Sequence, residues 1–231
     1  MPTMLDRPGS SLSGKGVEAT IRARIVRSRN RFWQAQDLTG SPSSVHHTLA
    51  DLVREGELQH VRKGLYWRGT HTVLGMSPPS TDALVTELAG RDGVGPSDLS
   101  AALMLRVSTQ VPRRAQVAVP TRVPQGIAAI EFSSRAARSG RRTAKLAAQE
   151  VALLEVLEGW ERLVEIPAEQ AWGRLRDLVT SGSVRPAALA RAAKTEPAVV
   201  RGRLRKLLLE AGEAAAAARL PEVDRRTLAR I

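Results

Sequence analysis

The chain has 231 residues, a net charge of +12 at pH 7 and no cysteine, which leaves room for one large domain or two small ones and excludes disulfides, thiolate zinc sites and cysteine nucleophiles. No apolar run reaches the roughly 18 residues of a membrane span, so a soluble, cytoplasmic protein with no membrane partner is expected. The basic excess favours polyanions, and an aromatic content of 3% gives few platforms for stacking unpaired bases, so duplex DNA suits the composition better than single strands.

Residues 1–15, which begin MPTMLDRPGS, lack the apolar core of a signal peptide and read as a disordered tail. The charge after them is uneven. Residues 1–75 carry eleven basic and six acidic side chains, residues 76–99 one against four, residues 100–145 nine against one, and residues 146–231 fourteen against twelve. Two basic regions are thus separated by an acidic stretch.

Val17, Ile21 and Ile25 recur at helical spacing and predict a first helix. Arg22, Arg24, Arg27, Arg29 and Arg31 crowd the same stretch with no acid among them. They are either a solvated face or phosphate contacts, and Arg29 and Arg31 are the candidates for the latter. A short helix is expected over Ala35–Leu38, stopped by Gly40. Ser41 then offers an N-cap and Pro42 a first helical residue. The buried stripe of this next helix is Val45, Leu49, Leu52 and Val53, and Gly56 ends it.

That helix leaves Ser43, Ser44, His46, His47 and Arg54 exposed, which are residue types able to hydrogen-bond base edges or phosphates. Adjacent histidines on a helix do not converge on one ion, so a metal site is not expected. Leu58–Val61 and Leu65–Trp67 read as two strands joined by a basic turn, Arg62-Lys63-Gly64. Helix, Gly turn, capped helix and basic hairpin in this order describe a winged helix-turn-helix, so residues 16–75 are read as a DNA-binding domain.

The run from Asp37 to Gly69 resembles the N-terminal winged helix of AbiEi-type antitoxins, the regulators of type IV toxin–antitoxin systems. Leu38, Gly40, Ser41, Val45, Leu49, Leu52, Gly56, Gly64, Leu65 and Tyr66 match that pattern. Val107-Ser108-Thr109-Gln110-Val111-Pro112 is similar to the Leu-Ser-Thr-Gln-Val-Pro junction that opens the family's C-terminal domain. One departure is Phe32-Trp33-Gln34, where the family often has the capping run Phe-Thr-Pro. The resemblance implies repression of the operon's own promoter by the N-terminal domain. It also implies that the C-terminal domain counteracts, directly or indirectly, a cognate toxin of the nucleotidyltransferase-like class. Two alternatives stay open: a stand-alone regulator with a sensory C-terminal domain, and a winged helix that binds protein.

Ser77-Pro78-Pro79-Ser80 reads as a linker to a C-terminal α+β domain over residues 80–231. Helices are expected over Asp82–Ala89 and from Ser97 or Asp98 to about Leu105. Ala115–Val119 and Ile127–Phe132 are expected as strands of a small sheet. Arg113, Arg114, Arg122, Arg135, Arg138, Arg141 and Arg142 decorate this segment. DNA backbone, an acidic protein partner and plain solvent are equally open for them. From Thr143 a long helix is expected through Leu146, Val151, Leu154, Leu157 and Trp160, followed by Ala168–Val179, Pro186–Ala193 and Pro197–Ala211. The last pair imitates a second helix-turn-helix with basic Arg201, Arg203, Arg205 and Lys206, but no wing follows, so helix packing is the preferred reading. Ala214–Ala218 favours a further helix. The expected class is α+β, mostly helical. With no phosphate loop, dinucleotide fingerprint, zinc-protease or nucleophile-elbow motif and no acid/base carboxylate pair, neither a cofactor nor an enzymatic function is expected.

Overall fold

Apolar side chains at helical spacing organise the first part of the chain. The computed structural model describes residues 14–125 and 127–228, and it divides into two units, Met1–Ser80 and Thr81–Ile231. The class is α+β, with helices predominating over three small sheets. The tail expected over residues 1–15 lies outside the described residues up to residue 13, while Gly14 and Lys15 already belong to the first helix.

In unit 1, α1 (Gly14–Arg27) buries Ile21 and Ile25 against α2 (Pro42–Arg54), which buries Val45, Thr48, Leu49 and Leu52. Each fully buried aliphatic side chain contributes roughly 1.5–3 kcal/mol. Between the helices lie β1 (Arg31–Trp33) and a single 3-10 turn, Ala35–Asp37. The strand β1 was not expected, because three residues are too few to show alternation. Where the family pattern has a capping Thr, this chain caps the turn in another way. The Asp37 carboxylate accepts the Gln34 backbone N–H at 2.8 Å.

Two further strands, β2 (Gln59–Arg62) and β3 (Leu65–Arg68), form a hairpin, and β1 adds antiparallel to β3 so that the order is β1-β3-β2. Gly56 and Gly64, with φ of +77° and +76°, adopt the left-handed backbone that ends α2 and turns the hairpin. A second hairpin, β4 (His71–Thr72) with β5 (Gly75–Met76), follows at once. Its base is tied down by Trp67 Nε1, which donates to the Ser77 carbonyl at 2.8 Å.

Unit 2 opens with α3 (Thr81–Ala89), whose one buried residue is Leu84. A three-stranded sheet then forms from β6 (Gly95–Pro96), β7 (Ala115–Val119) and β8 (Ile130–Ser134), with α4 (Asp98–Met104) between the first two. The strand β6 pairs antiparallel with β7, and β7 pairs parallel with β8 from Ala115↔Ile130 to Val119↔Ser134. The strand expected from Ile127 begins at Ile130, because Ile127 forms an isolated bridge back to Ile130.

The long helix expected from Thr143 does not start there: a short helix, α5 (Gly140–Thr143), ends at that residue, and the expected helix begins as α6 (Ala148–Glu158) and breaks before α7 (Trp160–Leu163). Gly159 closes α6, and a side chain there would meet Leu163 at 2.8 Å. Helix α6 buries Val151, Ala152, Leu153, Leu154, Val156 and Leu157 together with Glu150 and Glu155, so nearly all of its circumference is covered and it forms the centre of the core. Helices α4 and α10 (Ala198–Glu210) pack directly on α6, α8 (Ala168–Thr180), α9 (Pro186–Ala192) and α11 (Ala214–Ala217) complete the same core, and α12 (Arg225–Leu228) closes the described chain.

The arginines of the basic segment divide into two groups. Arg141 is fully buried, donating from Nη1 to Glu155 at 2.6 Å and from Nε and Nη2 to Glu196 at 2.7 and 2.9 Å. Arg135 clasps Glu155 with bonds of 2.9 and 2.7 Å, and Arg138 clasps Glu158 with two of 2.5 Å. Those three are therefore engaged by carboxylates within the fold, whereas Arg113, Arg114, Arg122 and Arg142 stay exposed. The basic residues of α10 are partly absorbed too. Arg203 is buried, donates to the Leu157 carbonyl at 2.7 Å and pairs with Glu161, and Arg205 caps the Leu220 and Pro221 carbonyls.

The Ser-Thr-Gln run has a structural task. Ser108 Oγ donates to Glu165 at 2.7 Å, the Thr109 backbone N–H donates at 3.0 Å, and Gln110 adds its side-chain amide. These bonds hold the Glu165 carboxyl below its ordinary range. They pin the end of α4 to the end of α7.

Burial alone would push the Glu155 carboxyl up, but Arg135 and Arg141 outweigh it and hold it below its ordinary value of 4.5. Glu150 is likewise held down against its burial by Arg185 and the Ala147 and Arg185 backbone N–H groups. Carboxyls depressed on folding add stability that is complete above their unfolded pKa and is lost as pH falls through the folded one. Thermal unfolding of unit 2 followed by circular dichroism is therefore expected to hold steady from pH 7 to pH 5 and to drop in midpoint below about 4.5. A midpoint that stays level to pH 3 would contradict this assignment.

Candidate nucleic-acid interface

Helix α2 starts where its cap allows. Ser41 Oγ accepts the Ser44 backbone N–H at 3.2 Å, and Pro42 occupies the first helical position with no N–H to leave unbonded. At 3.6 residues per turn, Ser43, His47, Ala50 and Arg54 share one side, and all four are exposed. Val45, Leu49 and Leu52 occupy the opposite side and are buried. His46 stands at the margin of the outer face and is exposed as well. The His47 side chain is 79% exposed and lies 3.8 Å from Asp51, which also holds Arg54 at 2.7 Å.

Ser44 is placed differently from its neighbours. It is half-buried, its Oγ accepts from Ser41 at 2.9 Å and its carbonyl accepts from Thr48 at 2.8 Å. It belongs to the cap and not to the outer face. Ala50 takes its place on that face, and it was legible from the same helical spacing.

The hairpin turn is Lys63-Gly64, because Arg62 is the last residue of β2 and pairs with Leu65. Arg62 is half-buried, so the basic tip expected over Arg62-Lys63-Gly64 reduces to exposed Lys63. Arg31 pairs with Arg68 at the other end of the same sheet. The sheet therefore holds Arg31 away from Lys63 and does not gather the two at one edge.

The arginines around α1 have distinct surroundings. Arg22 makes a bidentate pair with Glu55, and this pair raises the arginine and lowers the carboxyl. It ties α1 to the end of α2. Arg24 donates to the Asp37 carbonyl at 2.8 Å, and Arg31 lies over the Trp33 ring at 4.3 Å. Arg27 and Arg29 are exposed and have no ionic partner among the described residues. Arg68 is buried and pairs with Glu57 at 3.1 Å, and that carboxylate also faces His71 at 3.4 Å. The described residues contain no group of three or more His, Cys, Asp or Glu placed to hold a metal. None of the described helices is long and apolar enough to cross a membrane.

No family model matches the sequence, and no curated protein does. Among solved structures, the chain is similar to the RV2827C protein from Mycobacterium tuberculosis, at 17% identity and a TM-score of 0.47 over 89% of this chain and 82% of that one. A likeness of this size carries no argument.

The cap supports the whole outer face, since it sets where α2 begins. Ser41→Ala is expected to destabilise unit 1 by about 1 kcal/mol. Denaturant unfolding of the two proteins measures this, and equal midpoints would show that Ser41 caps nothing of consequence.

Proposed function

We propose that unit 1 is a winged helix-turn-helix that binds duplex DNA, with α2 as its recognition helix and the β2–β3 hairpin as its wing. The observation that carries this reading is the division of α2 into a buried apolar stripe and an outer face of Ser43, His47, Ala50 and Arg54. A helix with that free face can enter a major groove and present hydrogen-bonding groups to base edges. Lys63 at the turn, with Arg27 and Arg29, supplies unpaired charge for phosphates.

On the resemblance to AbiEi-type antitoxins, the protein represses its own promoter and counteracts a nucleotidyltransferase-like toxin encoded beside it. The DNA half has support from residue placement. The antitoxin half rests on the matched positions alone, from Leu38 to Tyr66 and from Val107 to Pro112. On this reading the protein is not an enzyme.

Fluorescence anisotropy on the DNA upstream of its own reading frame tests the first half. The logarithm of affinity should fall linearly with the logarithm of salt concentration. Lys63→Ala should make that slope shallower by about one and weaken all sequences alike, whereas His47→Ala should remove about 1–3 kcal/mol of preference for the specific site. Binding that is absent, or indifferent to salt, would remove DNA from the proposal.

Growth measurements test the second half. Expression of the adjacent reading frame alone should arrest growth, and co-expression with this protein should relieve the arrest. Arrest without relief, or no arrest, would leave a DNA-binding regulator with no antitoxin role.

A further inference from the structure

Helix α3 packs beside β7 of the sheet of unit 2. It sends Leu84 into the interior but leaves Val85 facing an open cleft. This cleft has a volume of about 450 Å³, and its apolar walls include Val85, Val94, Pro96, Met104, Val117 and Ala148. Apolar walls that face solvent in a concave cleft offer surface that an apolar ligand buries favourably. The volume lies within the range of small-molecule pockets, roughly 300–1,000 Å³.

The cleft continues at one side into a second recess of about 390 Å³, with Gly90 and Arg91 common to both. This recess is polar, and Arg142 and Thr121 line it together with Asp92. Neither Arg91 nor Arg142 has a hydrogen-bonded or ionic side-chain partner among the described residues, and both are exposed. They differ in this from Arg135, Arg138 and Arg141 nearby in sequence, which are fully paired. With Asp92 counted, the recess keeps one positive charge in excess. Asp82 lines the apolar part and disfavours an anion there.

The recess is held open by its backbone. Gly93, with φ of +74°, lies so close to the backbone of Arg141 and Arg142 that a side chain would meet it at 2.6 Å. Its N–H donates to the Leu146 carbonyl at 2.9 Å. The turn bearing Arg91 is therefore fixed against the segment bearing Arg142, and the two guanidinium groups are carried on connected, rigid supports.

We infer that this cleft binds a small monoanionic molecule with an apolar body, its body against Val85, Val94, Met104 and Val117 and its anionic group at Arg91 and Arg142. The site stands independently of the DNA reading, since every residue that forms it lies in unit 2.

Anilinonaphthalene sulfonate has this chemistry and serves as the probe, titrated into the full chain and read by fluorescence. The neutral compound phenylnaphthylamine serves as its uncharged counterpart. One equivalent of the sulfonate should bind per chain with blue-shifted emission. Arg91→Glu should weaken it by about tenfold or more, the loss expected for a charge-assisted hydrogen bond, and leave the neutral probe unaffected. Val85→Trp should abolish binding of both probes by filling the cleft. Ala148→Phe, a change at an exposed position of the wall, repeats that test, and a cooperative thermal melt of each variant shows that it is folded. The inference is overturned if saturable binding is absent, if both filling variants leave binding intact, or if Arg91→Glu affects neither probe or both equally.

Discussion

Much of unit 2 depends on the buried cation of Arg141. The Arg141 guanidinium, fully withdrawn from solvent, spends its donors on two carboxylates from separate helical segments, Glu155 on α6 and Glu196 just before α10. A buried ion pair adds little net stability when it is complete, because desolvation offsets attraction. Removing one partner strands the other at a cost of about 3–5 kcal/mol. Such a cluster contributes less to total stability than to specificity. Apolar contacts are non-directional, whereas the pairing of Arg135, Arg138 and Arg141 with Glu155, Glu158 and Glu196 fixes the orientation of the segments that carry them.

Unit 1 reaches the same end by different means. Its order comes from an amphipathic helix with a good cap, a buried tryptophan whose ring nitrogen finds Ser28 at 3.0 Å, and an exposed bidentate pair between Arg22 and Glu55. Positions that face inward are apolar and positions that face outward are polar, with few exceptions. A surface built this way can be altered residue by residue without disturbing the scaffold, because exposed substitutions away from caps and buried pairs change stability little.

The sequence was most readable where chemistry is local. Ser41-Pro42 marked the start of α2, Gly56 its end, and Leu49 and Leu52 its inner side, because each signal acts within a turn or two of itself. The helices of unit 2 were read by the same periodicity to within a residue or two at most ends. What could not be read was long-range. Nothing near Arg141 in the chain announces Glu196, so an interior ion cluster was indistinguishable from a surface charge run. The parallel pairing of β7 with β8 and the addition of β1 to the hairpin are pairings between distant segments, and three or five residues carry no sign of their partner. In the candidate interface, Ser43, His46, His47 and Arg54 were placed by spacing alone, whereas Ser44 and Arg62 were misplaced because a cap bond and a strand register decide their exposure.

The two hydrophobic cores differ in how much chain each must wait for. The core of unit 1 runs from Ile21 to Leu58, so every residue it needs has been synthesised before the second unit begins. The core of unit 2 joins Ala101 to Leu220, and α10, which supplies Val200, Leu204, Leu207 and Leu208, is made near the end. During translation the first unit is able to close while the apolar residues of α6 still lack the helices that cover them. The growing chain therefore carries a finished, charged head and an unfinished, adhesive tail, and its exposure to aggregation is concentrated in the interval before α10 is complete.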